Sequence, residues 1–369
     1  MTQPDLSASG ASFNASDREA APAVIDGPTV STIAFRMGWA GESTALGDLV
    51  TGRRPLLGER DSASERLDDL WRNVRETGNV LPIQARASGE DTAVVALTWL
   101  DEQQAVFARA DSGITGPHDL RGKRLGLPLR GALSSPIALR GLLTALELGG
   151  VRARQAELVD SGGDGWDGGA ADLEALLAGS ADVVFVRGTA VELADADPRF
   201  RQVVNLNAHP DPLVRLNHTT LRPLTVRRSF LHAHPDVVVE HLSILLRTAD
   251  WAQHHHDDVV HLLSCRTGDP DAEDLLSAHG PDLHRALAPT LDEVYVRALD
   301  RQKNFLRDWQ FLTADFSITN WIVAEPLAAA RALARSLPPL IEDRYALAPS
   351  LASGPSDRAA LGSSLPSGW

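Results

Sequence analysis

The chain has 369 residues, 35 basic and 49 acidic side chains, a net charge of −14, and 43% hydrophobic against 23% charged residues. These proportions fit a folded chain of two domains, or one two-lobed body, and exclude a fibrous or mostly disordered one. The negative balance repels a nucleic-acid backbone, no run of about 18 apolar residues is present to span a membrane, and the single Cys265 excludes an internal disulfide or a cysteine-built structural zinc site.

In chain order, residues 1–27 are rich in Ser, Ala, Asp and Pro, lack periodicity and read as a flexible tail. They lack the basic start and apolar core of an export signal, so a cytoplasmic location is expected. Short apolar runs at Ile33–Phe35, Val80–Ala85, Val94–Thr98 and Ala105–Arg109 are expected as strands of one sheet. Lys123–Pro128 is predicted as the next strand. Ser134-Ser135-Pro136 then opens a helix, with Ile137, Leu139, Leu142, Leu143 and Leu146 on one face and Gly149 at its end.

Strand at Glu157–Val159, helix at Asp172–Leu177, and strands at Asp182–Val186 and Gln202–Leu206 follow, a βαβαβ pattern with a largely parallel sheet. The carboxyl third reads as helices over Asp236–Gln253, Asp292–Leu312 and Pro326–Leu337. Residues 349–369 form a second tail. The expected architecture is α/β, a two-lobed clamp with Rossmann-like lobes and a helical C-terminal part. Lobe I is built from 28–115 and 220–348, and lobe II from 116–219. Ligands of such folds sit between the lobes, at the carboxyl ends of strands and the amino ends of helices.

Two strings carry a resemblance. Phe107-Ala108-Arg109-Ala110-Asp111-Ser112-Gly113-Ile114-Thr115, followed by Asp119-Leu120-Arg121-Gly122-Lys123-Arg124-Leu125-Gly126, resembles the passage by which type II periplasmic binding proteins enter their second lobe. Within that fold the chain is similar to the 2′-hydroxybiphenyl-2-sulfinate desulfinases and the aliphatic-sulfonate-binding proteins. The similarity runs through Arg75-Glu76-Thr77-Gly78-Asn79-Val80-Leu81-Pro82, Leu177-Ala178-Gly179-Ser180-Ala181-Asp182 and Glu325-Pro326. The resemblance implies a small anionic or aromatic substrate and a site in which Arg75 and Gly78 match the Arg and second Gly of an R-x-G-G motif, with Thr77 in place of the first Gly. The residues show no Gly-rich phosphate loop or metal cluster, so no nucleotide or metal cofactor is expected. The desulfinase cysteine and early histidine have no counterpart. Phe35-Arg36-Met37-Gly38-Trp39 stands where the cysteine falls, and Glu65 where the histidine falls.

The residues themselves suggest how an anion would be held. The planar guanidinium of Arg75 suits a carboxylate, sulfinate or sulfonate, and Gly78 admits close backbone approach; an arginine solvated on a helix surface is the plain alternative. Arg36, Met37, Gly38 and Trp39 form a loop that offers a cation beside an aromatic wall, and Glu42 follows it. Arg130, Gly131 and Ser134 precede a helix whose free N–H groups attract anions. Trp99 and Arg187 each end a strand. His218 is the candidate acid or base, with a structural hydrogen-bonding role as its alternative.

The run His254-His255-His256 with His261 suits adventitious rather than physiological metal binding, so no metal is expected; Cys265 lies far from the desulfinase nucleophile position. The expected function is a cytoplasmic desulfinase-like enzyme, a lyase or hydrolase breaking a C–S or C–C bond. Its alternatives are a non-catalytic anion-binding protein of the transporter type and a noncatalytic partner of a pathway enzyme.

Overall fold

A computed structural model describes residues 72–129, 134–163, 169–218, 220–256, 258–259 and 282–337. The expected strand Ile33–Phe35, both tails, and Arg36, Met37, Gly38, Trp39, Glu42, Arg130, Gly131 and Cys265 lie outside the described residues, as do Glu65 and His261.

Two sheets organise the chain. In the first, β1 (Val74–Glu76), β8 (Leu221–Arg227) and β2 (Thr92–Trp99) lie in the order β1-β8-β2, with β8 antiparallel to both neighbours. In the second, β3 (Gln104–Arg109), β4 (Arg124–Leu127), β5 (Glu157–Asp160), β6 (Val183–Arg187) and β7 (Phe200–Asn205) are ordered β5-β4-β6-β3-β7. β4 is parallel to β5 and β6, whereas β3 is antiparallel to β6 and β7, so four of the five strands share one direction.

Helices α2 (Ser134–Leu148) and α3 (Ala170–Ala178) are the crossovers of the expected βαβαβ unit. Leu139, Leu142, Leu143 and Leu146 bury one stripe of α2, each apolar side chain stabilising the fold by about 1.5–3 kcal/mol. The helix stops because Gly150 turns left-handed at φ 65°. Helices α4 (Thr189–Ala196) and α5 (Pro212–Arg215) flank β7.

Two expectations are corrected. Val80–Ala85 is not a strand but most of helix α1 (Val80–Ala87); Val80, Ile83 and Ala87 are its buried positions, spaced for a helix rather than alternating. Ala105–Arg109 pairs in the second sheet, because the chain leaves the first sheet at 100–103, ahead of the expected boundary at 115/116, and returns over 206–220.

The C-terminal part is helical: α6 (Arg228–Ala233), α7 (Pro235–Ala252), α8 (Leu283–Leu287), α9 (Glu293–Asp308), α10 (Ile318–Trp321) and α11 (Glu325–Ser336). α7 and α11 cover one side of the first sheet. One apolar cluster runs through both sheets, joining Val94 and Leu97 of β2, Val106 of β3, the α2 leucines, and Leu299 and Phe305 of α9. The two lobes therefore share a core. Among the described residues no helix is long and apolar enough to cross a membrane.

Trp321 anchors this shared core. It is fully buried, meets Phe316 edge-on at 5.4 Å, and donates its indole N–H to Thr92 Oγ1 at 3.0 Å. Trp321→Ala is expected to destabilise the fold by about 3–5 kcal/mol, read as a lower urea midpoint, because it opens a cavity and strands the threonine hydroxyl.

Candidate functional site

One group of buried polar residues gathers where the chain passes between the sheets. Gly78 and Asn79 connect β1 to α1, and Asn217 and His218 lie on the return crossover just before β8. Asn79 stitches these segments together. Its backbone N–H donates to the His218 carbonyl at 2.9 Å, and its Nδ2 reaches the carbonyls of Asn217, His218 and Leu221 at 2.7, 2.9 and 2.8 Å. Its Oδ1 is buried, makes no hydrogen bond among the described residues and does not cap α1. The cap comes instead from across the fold, since the Val80 N–H donates to His218 Nδ1 at 3.1 Å.

That bond fixes the chemistry of His218. With Nδ1 accepting, the proton sits on Nε2 and the ring is neutral. The side chain is 8% exposed, and its pKa is lowered from 6.5 to about 3, first by burial and then by the charges of Arg187 and Arg222. A titrating acid–base role near neutral pH is replaced by that of a neutral donor through Nε2–H, which has no hydrogen-bond partner among the described residues. Gly78 lies directly against the ring: a Cβ there would stand 2.5 Å from Cε1 and 2.6 Å from Nε2 of His218. The glycine is required by this close approach.

The network extends to the second sheet. Asn217 accepts the His218 N–H on Oδ1 at 2.6 Å, and its Nδ2 donates to Gln104 Oε1 at 3.2 Å and more weakly to Glu102 Oε1 at 3.5 Å. Glu102 pairs with Arg187 at 3.4 Å, so the guanidinium at the end of β6 points into the junction with a partly buried carboxylate as partner. Gln104 Nε2 donates to the Arg215 carbonyl at 2.6 Å, and Arg215 Nε to Asp101 Oδ1 at 3.2 Å. Both crossovers are thereby cross-linked.

The expected site residues divide accordingly. Gly78, His218 and Arg187 come together at the junction. Arg75 is exposed on β1, which places Val74 and Glu76 on the buried side; it is a strand residue, not the helix-surface arginine of the alternative reading. Trp99, expected to wall the cleft, is 3% exposed; its ring stacks on Tyr295 at 5.3 Å and its N–H binds Asp101 Oδ1 at 2.9 Å, which makes it a support of the crossover. Ser134 is the first residue of α2. His255 of the histidine run stacks on Trp251 at 4.5 Å, and among the described residues no group of three His, Cys, Asp or Glu is placed to hold a metal.

Asn79, Asn217, Glu102 and Arg222 were missed by sequence reasoning. The available signal was the polar run Asn217-His218-Thr219-Thr220 between Leu216 and Leu221, which must satisfy its polar groups internally if buried.

Two outcomes are expected. Gly78→Ala forces the His218 ring off its cap and costs about 1–3 kcal/mol in chemical denaturation, and the double variant with His218→Ala loses less than the sum of the two single ones. The second concerns pH. A histidine depressed from 6.5 to about 3 leaves stability complete above pH 6.5 and lost as pH falls, because the unfolded chain takes up a proton that the folded one refuses. Between pH 6.5 and 4, His218→Asn is expected to flatten the stability profile by up to one proton, about 1.4 kcal/mol per pH unit. His241, lowered to about 4 by burial, contributes a slope of the same sign that the variant retains.

Comparison with known proteins follows the same segments. The profile of the family described as "NMT1/THI5 like" matches residues 74–258, half of the chain. The 2′-hydroxybiphenyl-2-sulfinate desulfinase of Rhodococcus erythropolis is 26% identical over 289 residues, covering 68% of this chain and 79% of the relative. A crystal structure of a variant of the desulfurisation enzyme DszB in complex with biphenyl-2-sulfinic acid superposes with a TM-score of 0.58 at 21% identity, covering 83% of this chain and 96% of the other. The periplasmic aliphatic sulphonate binding protein SsuA of Escherichia coli gives 0.52 at 15%, covering 80% and 94%. The two-lobed fold of the periplasmic binding proteins, expected from the sequence, is the fold of this chain. Since the matched span runs from β1 through both crossovers and beyond α7, the chain belongs to the NMT1/THI5-like family.

Proposed function

We propose that the chain binds a small organic oxyanion, a sulfinate, sulfonate or carboxylate, at the junction of its two lobes, and acts on it as a desulfinase-like enzyme by C–S or C–C cleavage or hydrolysis. The observation that carries this reading is the state of His218: a neutral imidazole, its Nε2–H without a hydrogen-bond partner among the described residues, in the field of Arg187 and Arg222. A donor N–H held in a positive, water-poor setting is worth more to an anion than the same group in water. Arg187 would exchange part of its pairing with Glu102 for the ligand's oxygens.

Arg36, Met37, Gly38, Trp39, Arg130, Gly131 and Ser134 are added from the sequence as candidate ligand-binding residues. Arg75 reaches the anion only from the exposed side of β1. Water cleavage of a C–S bond needs a proton at carbon and an oxygen at sulfur. His218 holds and orients the anion, and Glu42 is the proposed proton carrier. Support for turnover comes from the relationship to the desulfinases. A non-catalytic anion receptor is the second reading, favoured by the locked neutral state of His218 and by Phe35-Arg36-Met37-Gly38-Trp39, which lacks a nucleophile.

The test is a thermal-shift panel of aryl and alkyl sulfinates, sulfonates and carboxylates, with hits followed by mass spectrometry. A ligand at 100 times its Kd is expected to add about 2.7 kcal/mol of stability to the wild type, with tenfold or greater weakening in Arg187→Met and His218→Ala. Consumption of the ligand supports the enzyme, and binding without consumption the receptor. Unchanged affinity in both variants would move the site elsewhere.

A further inference from the structure

A second feature lies away from the junction and shares none of its residues. Where α2 and α9 pack side by side they leave a groove of about 740 Å³, opening to solvent. Arg140 of α2 lies in it, only 4% exposed, with its guanidinium carbon 5.6 Å from the centre of the Phe305 ring. Its Nε and Nη2 are buried and have no hydrogen-bond partner among the described residues. These two atoms form the side-on edge of the guanidinium, whose parallel N–H groups match the two oxygens of a carboxylate or sulfonate.

Burial, followed by the neighbouring charge of Arg301, lowers the pKa of Arg140 to about 10, so it remains a cation at neutral pH. A buried cation with one edge unmet is a strong demand for an anion. Nearby charges are already committed: Arg301 Nη2 binds Glu147 Oε2 at 3.0 Å, and Asp300 accepts from Asn304 at 2.8 Å. The carboxylates of Glu293 and Asp308 also line the groove and disfavour a polyanion, whereas Val296 and Trp309 offer an apolar wall.

We propose that this groove is a second binding site, taking an organic monoanion whose two-oxygen head pairs with the Arg140 guanidinium and whose apolar body lies against Val296 and Trp309. A purely structural arginine would have acceptors on its Nε/Nη2 edge, and none is present among the described residues.

Saturation-transfer NMR titrations with benzoate and benzenesulfonate, and with acetate and citrate for contrast, test the assignment on the full chain. In Arg187→Met, whose junction site is weakened, benzoate and benzenesulfonate are expected to keep binding in the groove, which separates this site from the junction. In that background Arg140→Met is expected to weaken both at least tenfold, while by itself it leaves the unliganded melting temperature equal or higher. Arg140→Lys, which keeps the charge and loses the fork, and Trp309→Ala, which removes the wall, should each weaken benzoate and serve if Arg140→Met fails to fold. Acetate and citrate should bind more weakly than benzoate. Unchanged affinity in the Arg140 variants, loss of all binding in Arg187→Met, or citrate binding as tightly as benzoate would overturn the proposal.

Discussion

The arrangement at the lobe junction depends on one hydrogen bond, from the first amide of α1 to Nδ1 of His218. A helix start buried inside a fold must find acceptors for its amides. Here the residue that would normally provide one, Asn79, is occupied in holding three carbonyls of the return crossover. The imidazole fills the vacancy, and in doing so it is compelled to stay neutral, to carry its proton on Nε2, and to lie so close to Gly78 that no side chain fits between them.

From that constraint the electrostatics follow. Two guanidinium groups near the ring oppose its protonation, and one of them, Arg187, is balanced by Glu102 from the outgoing crossover. The junction therefore contains two cations and a fixed donor, with Glu102 paired to one of the cations, an arrangement suited to orienting an anion more than to shuttling protons. The apolar cluster shared by β2, β3, α2 and α9 holds the lobes around this point, and Trp99, stacked on Tyr295, stiffens the outgoing crossover. Binding and support are thus divided between polar crossovers and an apolar frame.

The two arginines of the second sheet's surroundings make an instructive contrast. Arg187 ends a strand, keeps a carboxylate partner and belongs to the junction. Arg140 sits mid-helix, where its long side chain is carried under Phe305 and its fork has no acceptor among the described residues. The helical periodicity of α2 places residue 140 beside its core-facing leucines, so burial is imposed by the helix, while the missing partner is a property of the groove that α9 closes.

The α/β class, the βαβαβ unit and the positions of β2, β4, β6, α2, α7 and α9 were legible in the sequence, because apolar spacing and the helix stop at Gly179 are local properties. Val80–Ala85 deceived as a strand because a short apolar run carries both periods until its packing partner is known, and Ala105–Arg109 was placed in the wrong sheet because strand order is a long-range choice. Gly78 and His218 stood out as residue types, and Arg75 as a motif match. That the first two touch, that Asn79 binds across 138 residues to Asn217, that Trp99 turns inward and that Arg75 faces out depend on register and crossover geometry. Sequence by itself determined which segments form helices and strands, since those preferences act over a few residues. Only the tertiary structure decided which polar groups would be buried together, and hence that His218 would be a neutral donor rather than a titrating one, because desolvation and neighbouring charge arise from residues distant in the chain.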